Sequence, residues 1–562
     1  MDLLSYEHCP SDLHFLGDTI GACLRRIARE QGEKEAMVAV HQEKRLSYLQ
    51  LDAEVDAVAK ALLALGVETG DRVAVWSPNY WEWVVVQYAT ARIGVVLVTI
   101  NPAYRPQELA FVLKDSRTRV LFLAEAYKGS DYLAMMRQVC PQIEDAAGRA
   151  HRAVGSAEFP HLRQAVVLGY GSYGGMFNFA EFKEEGAGVS DSELATREAV
   201  LGCDDDINIQ YTSGTTGLPK GVTLTHHNIL NNAYLVARTL GVTAEDRVCV
   251  PLPFYHCFGM VLTNLLAMCM GATLVLSSAT FDAEATLTAV SEEQCTVLHG
   301  VPTMFIAELE HPRFAEFDLS SLRTGIMAGA PCPVDLMRAV IERMNMTDMQ
   351  IGYGLTEASP LCTLTSSLDS VERRVTTIGR VLPHQEVKIV DPATGRTLPR
   401  GSQGELCVRG YHVMVRYDNR PEATAEAIDE KRWLHTGDLA MMDEQGYVSI
   451  TGRLKDVVIR GGENLYPREI EEFIHGLPMV SDVYVVGVPD RKMGEEVLAF
   501  VKLREGHAAP TPEEFRALCR GHIAHYKIPR YWLVVDEFPM TVTGKVQKFK
   551  LREQGMQELG LA

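Results

Sequence analysis

The sequence predicts an α/β protein of more than one domain. Three observations lead there. The chain has 562 residues, too many for one ordinary hydrophobic core, so two to four domains are expected. Short apolar strands alternate with amphipathic helices over most of its length, the pattern of parallel sheets layered with helices. Past Thr376 the character changes to short β segments rich in Gly and Pro, and beyond residue 452 the pattern is α+β.

Residues 17–66 read as two helices. GDTIGACLRRIAREQG carries apolar positions at helical spacing, and LSYLQLDAEVDAVAKALLALGV does the same behind Ser47 as its cap. RVAVWS (72–77) is a strand, 81–93 a helix with a buried face, and 95–100 an apolar strand ended by Asn101-Pro102. A helix at 106–114 and a strand at 120–123 follow. Residues 169–175 are turn-rich, and 181–198 is acidic and expected to be exposed. A strand at 207–211 enters a loop, β character returns over 222–224, and a helix follows Asn228 with Ile229, Ala233, Val236, Ala237 and Leu240 on one face. Strands at 247–250 and 273–276 flank a helix at 261–270, and the alternation continues from 297 to 351. Runs at 386–390 and 404–409 suggest a small β-rich subdomain. A charged, Gly-containing turn at 452–455 marks a boundary. After it come a helix at 467–475, strands at 483–488 and 497–503, a helix at 512–524 and a strand at 531–535.

Composition narrows the function classes. A net charge of −19 argues against a broad nucleic-acid interface, which needs a basic face. Residues 248–281 carry no charge, yet Pro251, Pro253, His256, Asn264 and Gly271 interrupt them, so they read as buried strands and a helix rather than a membrane span. The N-terminal MDLLSYEHCPSDLHF lacks the basic-then-apolar layout of a signal peptide. Twelve cysteines lie scattered without a CxxC pair. That disfavours a zinc ribbon or a disulfide framework and suits a reducing cytoplasm.

The most chemical stretch is 211–225, YTSGTTGLPKGVTLT. Gly214 and Gly217 let the backbone bring amide N–H groups close to a ligand. Thr212, Ser213, Thr215 and Thr216 add hydroxyls, and Lys220 adds a positive charge. These are the components of a phosphate-holding loop. It is not a Walker A loop, because Pro219 and Gly221 stand where that motif needs Gly and Ser or Thr. Taken alone, the stretch is equally compatible with a solvated surface loop.

Four further stretches carry candidate chemistry. GYGLTE (352–357) sets Tyr353 between Gly352 and Gly354, then Thr356 and Glu357, whose hard carboxylate makes it a Mg²⁺ candidate. HTGDL (435–439) places Asp438 on a turn that could face two vicinal hydroxyls or be a plain Asx-turn. GRLKDVVIRGGENLYP (452–467) offers Arg453, Lys455 and the pair Gly461-Gly462, a hinge with a backbone-presenting turn or an ordinary hairpin. TVTGKVQK (541–548) offers Lys545, a lysine reaching a site or a solvated one.

These stretches, in this order and with PLPFYHCFG (251–259), AGAP (328–331), TINPAYR (99–105) and GGENLYP (461–467), resemble the adenylate-forming superfamily of acyl-CoA synthetases, adenylation domains and luciferases. The likeness covers nearly the whole chain and leans toward medium-chain and related fatty acyl-CoA synthetases. It implies a large N-terminal domain (1–452) of two α/β/α sheets plus a small β barrel, and a mobile α+β C-terminal domain (453–562) on a hinge at Lys455. It implies ATP, Mg²⁺ and coenzyme A. A carboxylate attacks the α-phosphate of ATP to give acyl-AMP and pyrophosphate, and the CoA thiol then takes the acyl group after the C-terminal domain rotates.

The resemblance also assigns roles. Thr212–Gly217 and Lys220 hold the β- and γ-phosphates, Glu357 holds Mg²⁺, and Thr356 touches the α-phosphate. Tyr353, with Gly352 and Gly354, stacks on adenine, and Gly329, Ala330 and Pro331 line it. Asp438 accepts from the ribose hydroxyls with Arg453 in support. Lys545 contacts the reacting oxygens, and Gly461-Gly462 lines the pantetheine tunnel. The acyl pocket is bordered by 255–260, 301–305, 327–329 and 359–362, with His256 at its mouth and Met260, Met304, Phe305, Met327, Gly329 and Pro360 around it. Such a lining suits a medium-chain fatty, aryl or other bulky apolar acid. No Arg or Lys stands out there to pair with a second carboxylate. Alternatives are an acyl-AMP ligase loading a discrete acyl carrier protein, and a luciferase-type oxygenase. A homodimer stays open, and neither nucleic acid nor an integral membrane segment is expected.

Overall fold

The computed structural model describes residues 3–146, 154, 156–212, 219–461, 463–540 and 546–561. They fall into two units. One comprises His8–Glu386 and Arg409–Leu434, the other Met1–Glu7, Val387–Val408 and His435–Ala562.

The first unit holds two large sheets, as its alternating pattern predicts. In one, the strand order is Phe177–Asn178, Gln164–Val167, Val120–Leu123, Arg72–Trp76, Val96–Thr99, Asp206–Thr212, Lys220–Thr225, Arg416–Tyr417. The first six run parallel, Lys220–Thr225 runs against them, and Arg416–Tyr417 pairs antiparallel with Lys220–Thr225. The other sheet has nine strands. Its parallel centre runs through Asp348–Gly354, Thr324–Ala328, Val297–Leu298, Arg247–Cys249, Thr273–Leu276 and Glu35–Ala39. The strands VLFL (Val120–Leu123) and TLVL (Thr273–Leu276) are buried throughout, as strands covered by helices on both faces must be.

Local signals place the helices. Ser47 caps Tyr48–Ala64: its hydroxyl accepts from Gln50 N–H, and the Gln50 side chain accepts from Ser47 N–H at 2.9 Å. Together they satisfy two otherwise orphaned donors.

Four elements differ from expectation. The helix Trp81–Arg92 is buried all round rather than on one face. Its terminal Arg92 is fully buried and bonded to Asp52, Asp56 and Glu198. The acidic stretch expected to be exposed is helical over Phe179–Glu184 and Asp191–Glu198, and it buries Phe182 and Leu194 while delivering Glu198 to Arg92. Between Met260 and Leu265 the helix after His256 widens to π geometry. The helix expected to reach 524 stops at Cys519, because Gly521 takes a left-handed φ of +81° that ends regular helix.

The second unit carries a five-stranded sheet ordered Tyr6–His8, Gln385–Val390, Gly404–Gly410, Leu434–Met442, Val448–Arg453. A further sheet pairs Val480–Asp490 with Gly494–Leu503 antiparallel and adds Tyr531–Val534 in parallel. Helix Pro467–His475 forms as expected, and Lys548–Glu558 is a further helix beyond those expected.

Candidate active site

Within the first unit, the sequence motifs end at the C-terminal edges of parallel strands. Thr212 closes Asp206–Thr212, Gly329–Pro331 follow Thr324–Ala328, and Gly352–Gly354 close Asp348–Gly354. Open α/β sheets bind their ligands at this edge. Gly329 sits at φ +89°, and a Cβ on Gly354 would lie 1.8 Å from the Pro360 carbonyl oxygen. Both positions therefore need glycine for backbone reasons.

Lys220 and Glu357 are brought to one side chain, Tyr417. The strand Arg416–Tyr417 pairs with Lys220–Thr225 in the register Val222↔Tyr417. The Lys220 ammonium lies 5.0 Å from the Tyr417 ring centroid. The Tyr417 hydroxyl donates to Glu357 Oε1 at 2.7 Å. Burial, with the Glu357 carboxylate beside it, pushes the Tyr417 phenol well above its ordinary value, so it stays protonated and donating. The two ends of the phosphate-type loop are held by the register Thr212↔Lys220, and Tyr211 donates to Asp115 at 2.9 Å. Ser213, Gly214, Thr215, Thr216 and Gly217 lie outside the described residues.

The motif at 251–259 meets the one at 352–357 through Cys257 Sγ, 3.6 Å from Thr356 Oγ1. His256 caps the following helix, its Nδ1 accepting from Phe258 N–H at 3.2 Å. Met260 is fully buried beside Gln210 Nε2 at 3.7 Å. Phe305 and Met327 belong to the core of the nine-stranded sheet, while Met304 is half-buried and Pro360 buried.

The helix Pro302–Leu309 buries a carboxyl group outside the expected site residues. Glu308, on Pro302–Leu309, is 1% exposed, and its Oε2 has no hydrogen-bond partner among the described residues. Burial pushes its pKa from 4.5 up to about 8. The signal was available, since Glu308 stands three residues from Phe305 on the apolar stripe. Its stabilising contribution is complete below pH 4.5 and is lost as pH rises through about 8. Glu308→Gln should remove that loss, on the order of 3–5 kcal/mol. Between pH 5 and 9 the wild type should therefore lose more thermal stability than the variant. Parallel melting-temperature curves for the two would refute the assignment.

In the second unit, Arg453 Nε donates to Asp438 Oδ1 at 2.8 Å across the register Asp438↔Arg453. Glu405 fixes the turn that carries Asp438. Its Oε1 accepts from Gly437 N–H at 3.2 Å, and its Oε2 lies 2.7 Å from His435 Nδ1. Thr436 donates to the Leu406 carbonyl at 2.7 Å and accepts from Asp438 N–H at 3.1 Å. Lys455 lies on the 3₁₀ turn Leu454–Asp456. Val458–Arg460 and Glu463–Leu465 form a hairpin in which Gly461 takes φ +61°. Gly462 and Lys545 lie outside the described residues.

Comparison with known proteins identifies the family. The family described as AMP-binding enzyme matches residues 24–418, and the AMP-binding enzyme C-terminal domain matches 469–545. YngI of Bacillus subtilis, which carries an acyl-CoA synthetase name, is 49% identical over 97% of this chain and 98% of its own. The mitochondrial medium-chain acyl-CoA ligase ACSF2 of Danio rerio is 43% identical over 99% of this chain and 91% of its own. A solved fatty acyl CoA synthetase from Mycobacterium tuberculosis superposes with a TM-score of 0.74 at 32% identity, covering 95% of this chain and 98% of that one.

Proposed function

The chain belongs to the AMP-binding enzyme family and is an AMP-forming acid–CoA ligase, and from that premise we propose that its acid is a medium-chain fatty, aryl or other bulky apolar one. ATP and coenzyme A are its co-substrates. In the first step a carboxylate oxygen bonds to the α-phosphorus as the bond to the β-phosphate bridge breaks, so pyrophosphate leaves. In the second the CoA sulfur bonds to the acyl carbon, AMP leaves with the electron pair, and the thiol proton passes to solvent.

The observation that supports the nucleotide chemistry is the meeting of Lys220 and Glu357 on Tyr417. It joins a cation from the loop at 211–225 and a carboxylate from the motif at 352–357. Glu357 suits Mg²⁺, because Tyr417 orients its Oε1 while its Oε2 accepts no hydrogen bond among the described residues. Mg²⁺ held there would offset the charge of the departing pyrophosphate. Lys220 and the residues 212–217 would hold the β- and γ-phosphates, and Thr356 the α-phosphate. Tyr353 would stack on adenine beside Gly329–Pro331. Asp438, oriented by Arg453 and by the turn that Glu405 fixes, would accept from the ribose hydroxyls. Lys545 would stabilise the charge moving at the α-phosphate, and Lys455 would be the hinge between the two steps.

Tyr417→Phe removes the donor to Glu357 but keeps the ring under Lys220. Adenylation should slow by roughly tenfold, about 1.4 kcal/mol, with a higher Mg²⁺ requirement. Unchanged Mg²⁺ dependence would show that Tyr417 does not orient the metal ligand.

The pocket border of Met260, Met304, Phe305, Met327 and Pro360 supports an apolar acid. The test is a panel of octanoate, benzoate and malonate read as CoA thioester. Octanoate or benzoate should lead, whereas preference for malonate would overturn the class. Acid-dependent pyrophosphate exchange without thioester would instead favour loading of a discrete carrier protein. Among the described residues no helix is long and apolar enough to cross a membrane. The twelve cysteines are all free, which supports placing the enzyme in a reducing compartment, the cytoplasm.

A further inference from the structure

We propose that the N-terminal edge of the eight-stranded sheet is a second binding site, for a phosphomonoester that carries an apolar group. Three adjacent parallel strands each begin on an arginine. Arg72 opens Arg72–Trp76, Arg119 immediately precedes Val120–Leu123, and Arg163 immediately precedes Gln164–Val167. Their backbones are joined in a row: Arg119 N–H donates to the Arg72 carbonyl at 2.8 Å, and Arg163 N–H to the Arg119 carbonyl at 2.7 Å. The register Val73↔Val120↔Gln164 puts all three on one face of the sheet, about 4.8 Å from strand to strand. Like charges set side by side on neighbouring strands repel, so the row calls for an anion.

With Asp71, Arg117 and His161, the three arginines line a cavity of about 280 Å³. Among the described residues, the lining of this cavity holds four guanidinium groups and one carboxylate. Asp71 takes Arg119 at 2.5 Å, and Asp418 approaches Arg72 only to 3.9 Å. Arg72 Nε is buried with no partner among the described residues. Neither the Arg163 nor the His161 side chain makes a hydrogen bond or ion pair among the described residues. Arg117 adds a further sign of purpose. It occupies the left-handed position after helix Pro106–Asp115, at φ +55°, where glycine is the usual residue. Its guanidinium lines the cavity and donates from Nη2 to Asn419 Oδ1 at 3.0 Å, which leaves further N–H donors for an anion. Guanidinium forks match phosphate oxygens two at a time.

A second cavity, of about 330 Å³, adjoins the first, and Arg117 and His161 line both. Leu113, Ala157, Phe159, Pro160 and Leu162 form an apolar part of its wall, beside Lys114, Thr118 and Glu158. A ligand filling both chambers needs an anionic head beside an apolar body. The arginines sit at the opposite strand ends from Thr212 in the same sheet. The site is therefore separate from the residues proposed to hold ATP.

The test uses the full chain saturated with AMP, which fills the nucleotide site. 1-Naphthyl phosphate, n-octyl phosphate and inorganic phosphate are titrated calorimetrically against wild type and the double variant R117G/R163Q. Arg117→Gly relieves the positive φ and Arg163 is exposed, so the variant should fold at least as well as wild type. One of the two esters should bind one-to-one, at least tenfold more tightly than inorganic phosphate, and at least tenfold more weakly to the variant. The tighter ester distinguishes a ring-bearing from a chain-bearing ligand. Equal binding by wild type and variant, loss of binding when AMP is added, or no gain of either ester over inorganic phosphate would each overturn the proposal.

Discussion

Lys545→Ala is expected to slow acyl-AMP formation by at least about 10³-fold, while thioester formation from supplied acyl-AMP stays within a few-fold of wild type. The physical reason is the charge problem of the first step. An anionic carboxylate must reach a polyanionic triphosphate, and a cation at the α-phosphate lowers the barrier only while phosphorus–oxygen bonds form and break. In the second step the nucleophile is sulfur and the electrophile is a carbonyl carbon, so a lysine at phosphorus has little left to stabilise. The two half-reactions are read separately, as acid-dependent pyrophosphate exchange and as CoA thioester from synthetic acyl-AMP. Equal loss in both would remove Lys545 from the role assigned to it.

Glu357→Gln should cost roughly 10²- to 10³-fold in the same first step, about 3–4 kcal/mol. Glutamine keeps the shape and can still accept from the Tyr417 hydroxyl, which lies 2.7 Å from Oε1. The fold around it should therefore survive, and the loss reports on charge. The KM for MgATP should rise, and added Mg²⁺ should recover part of the rate. Thioester formation from supplied acyl-AMP should be spared. A variant with wild-type Mg²⁺ dependence would mean that another group holds the metal.

The sequence was most legible where the physics is local. Ser47 and Gln50 stand three residues apart, and their reciprocal capping sets the start of Tyr48–Ala64. The apolar strands 72–77 and 120–123 form close to where they were read, because burial on both faces demands unbroken apolar runs. Legibility failed where partners are distant. Tyr417 carries no local mark of function, and only the pairing Val222↔Tyr417 delivers it to Lys220 and Glu357. Residues 181–198 looked exposed because their composition is acidic. The need for a counter-charge on buried Arg92, over a hundred residues earlier in the chain, is invisible in that composition. Glu308 is hidden for another reason: a helical stripe identifies the buried face but not the protonation state of a carboxyl on it. The candidate roles of Thr356, Glu357, Asp438 and Arg453 were suggested by short motifs whose order along the chain is more specific than any one of them. The geometry adds what the motifs lack, namely Tyr417 between two of them and Glu405 behind the Asp438 turn.

The central claim is that the enzyme forms an acyl-AMP and passes the acyl group to CoA. The most direct measurement incubates the enzyme with octanoate, ATP, Mg²⁺ and labelled pyrophosphate, then adds CoA and follows AMP and thioester. The account predicts exchange of label into ATP only when acid is present, followed by stoichiometric AMP and octanoyl-CoA once CoA is added. Release of ADP and phosphate in place of AMP and pyrophosphate, or thioester formation without acid-dependent exchange, would contradict it.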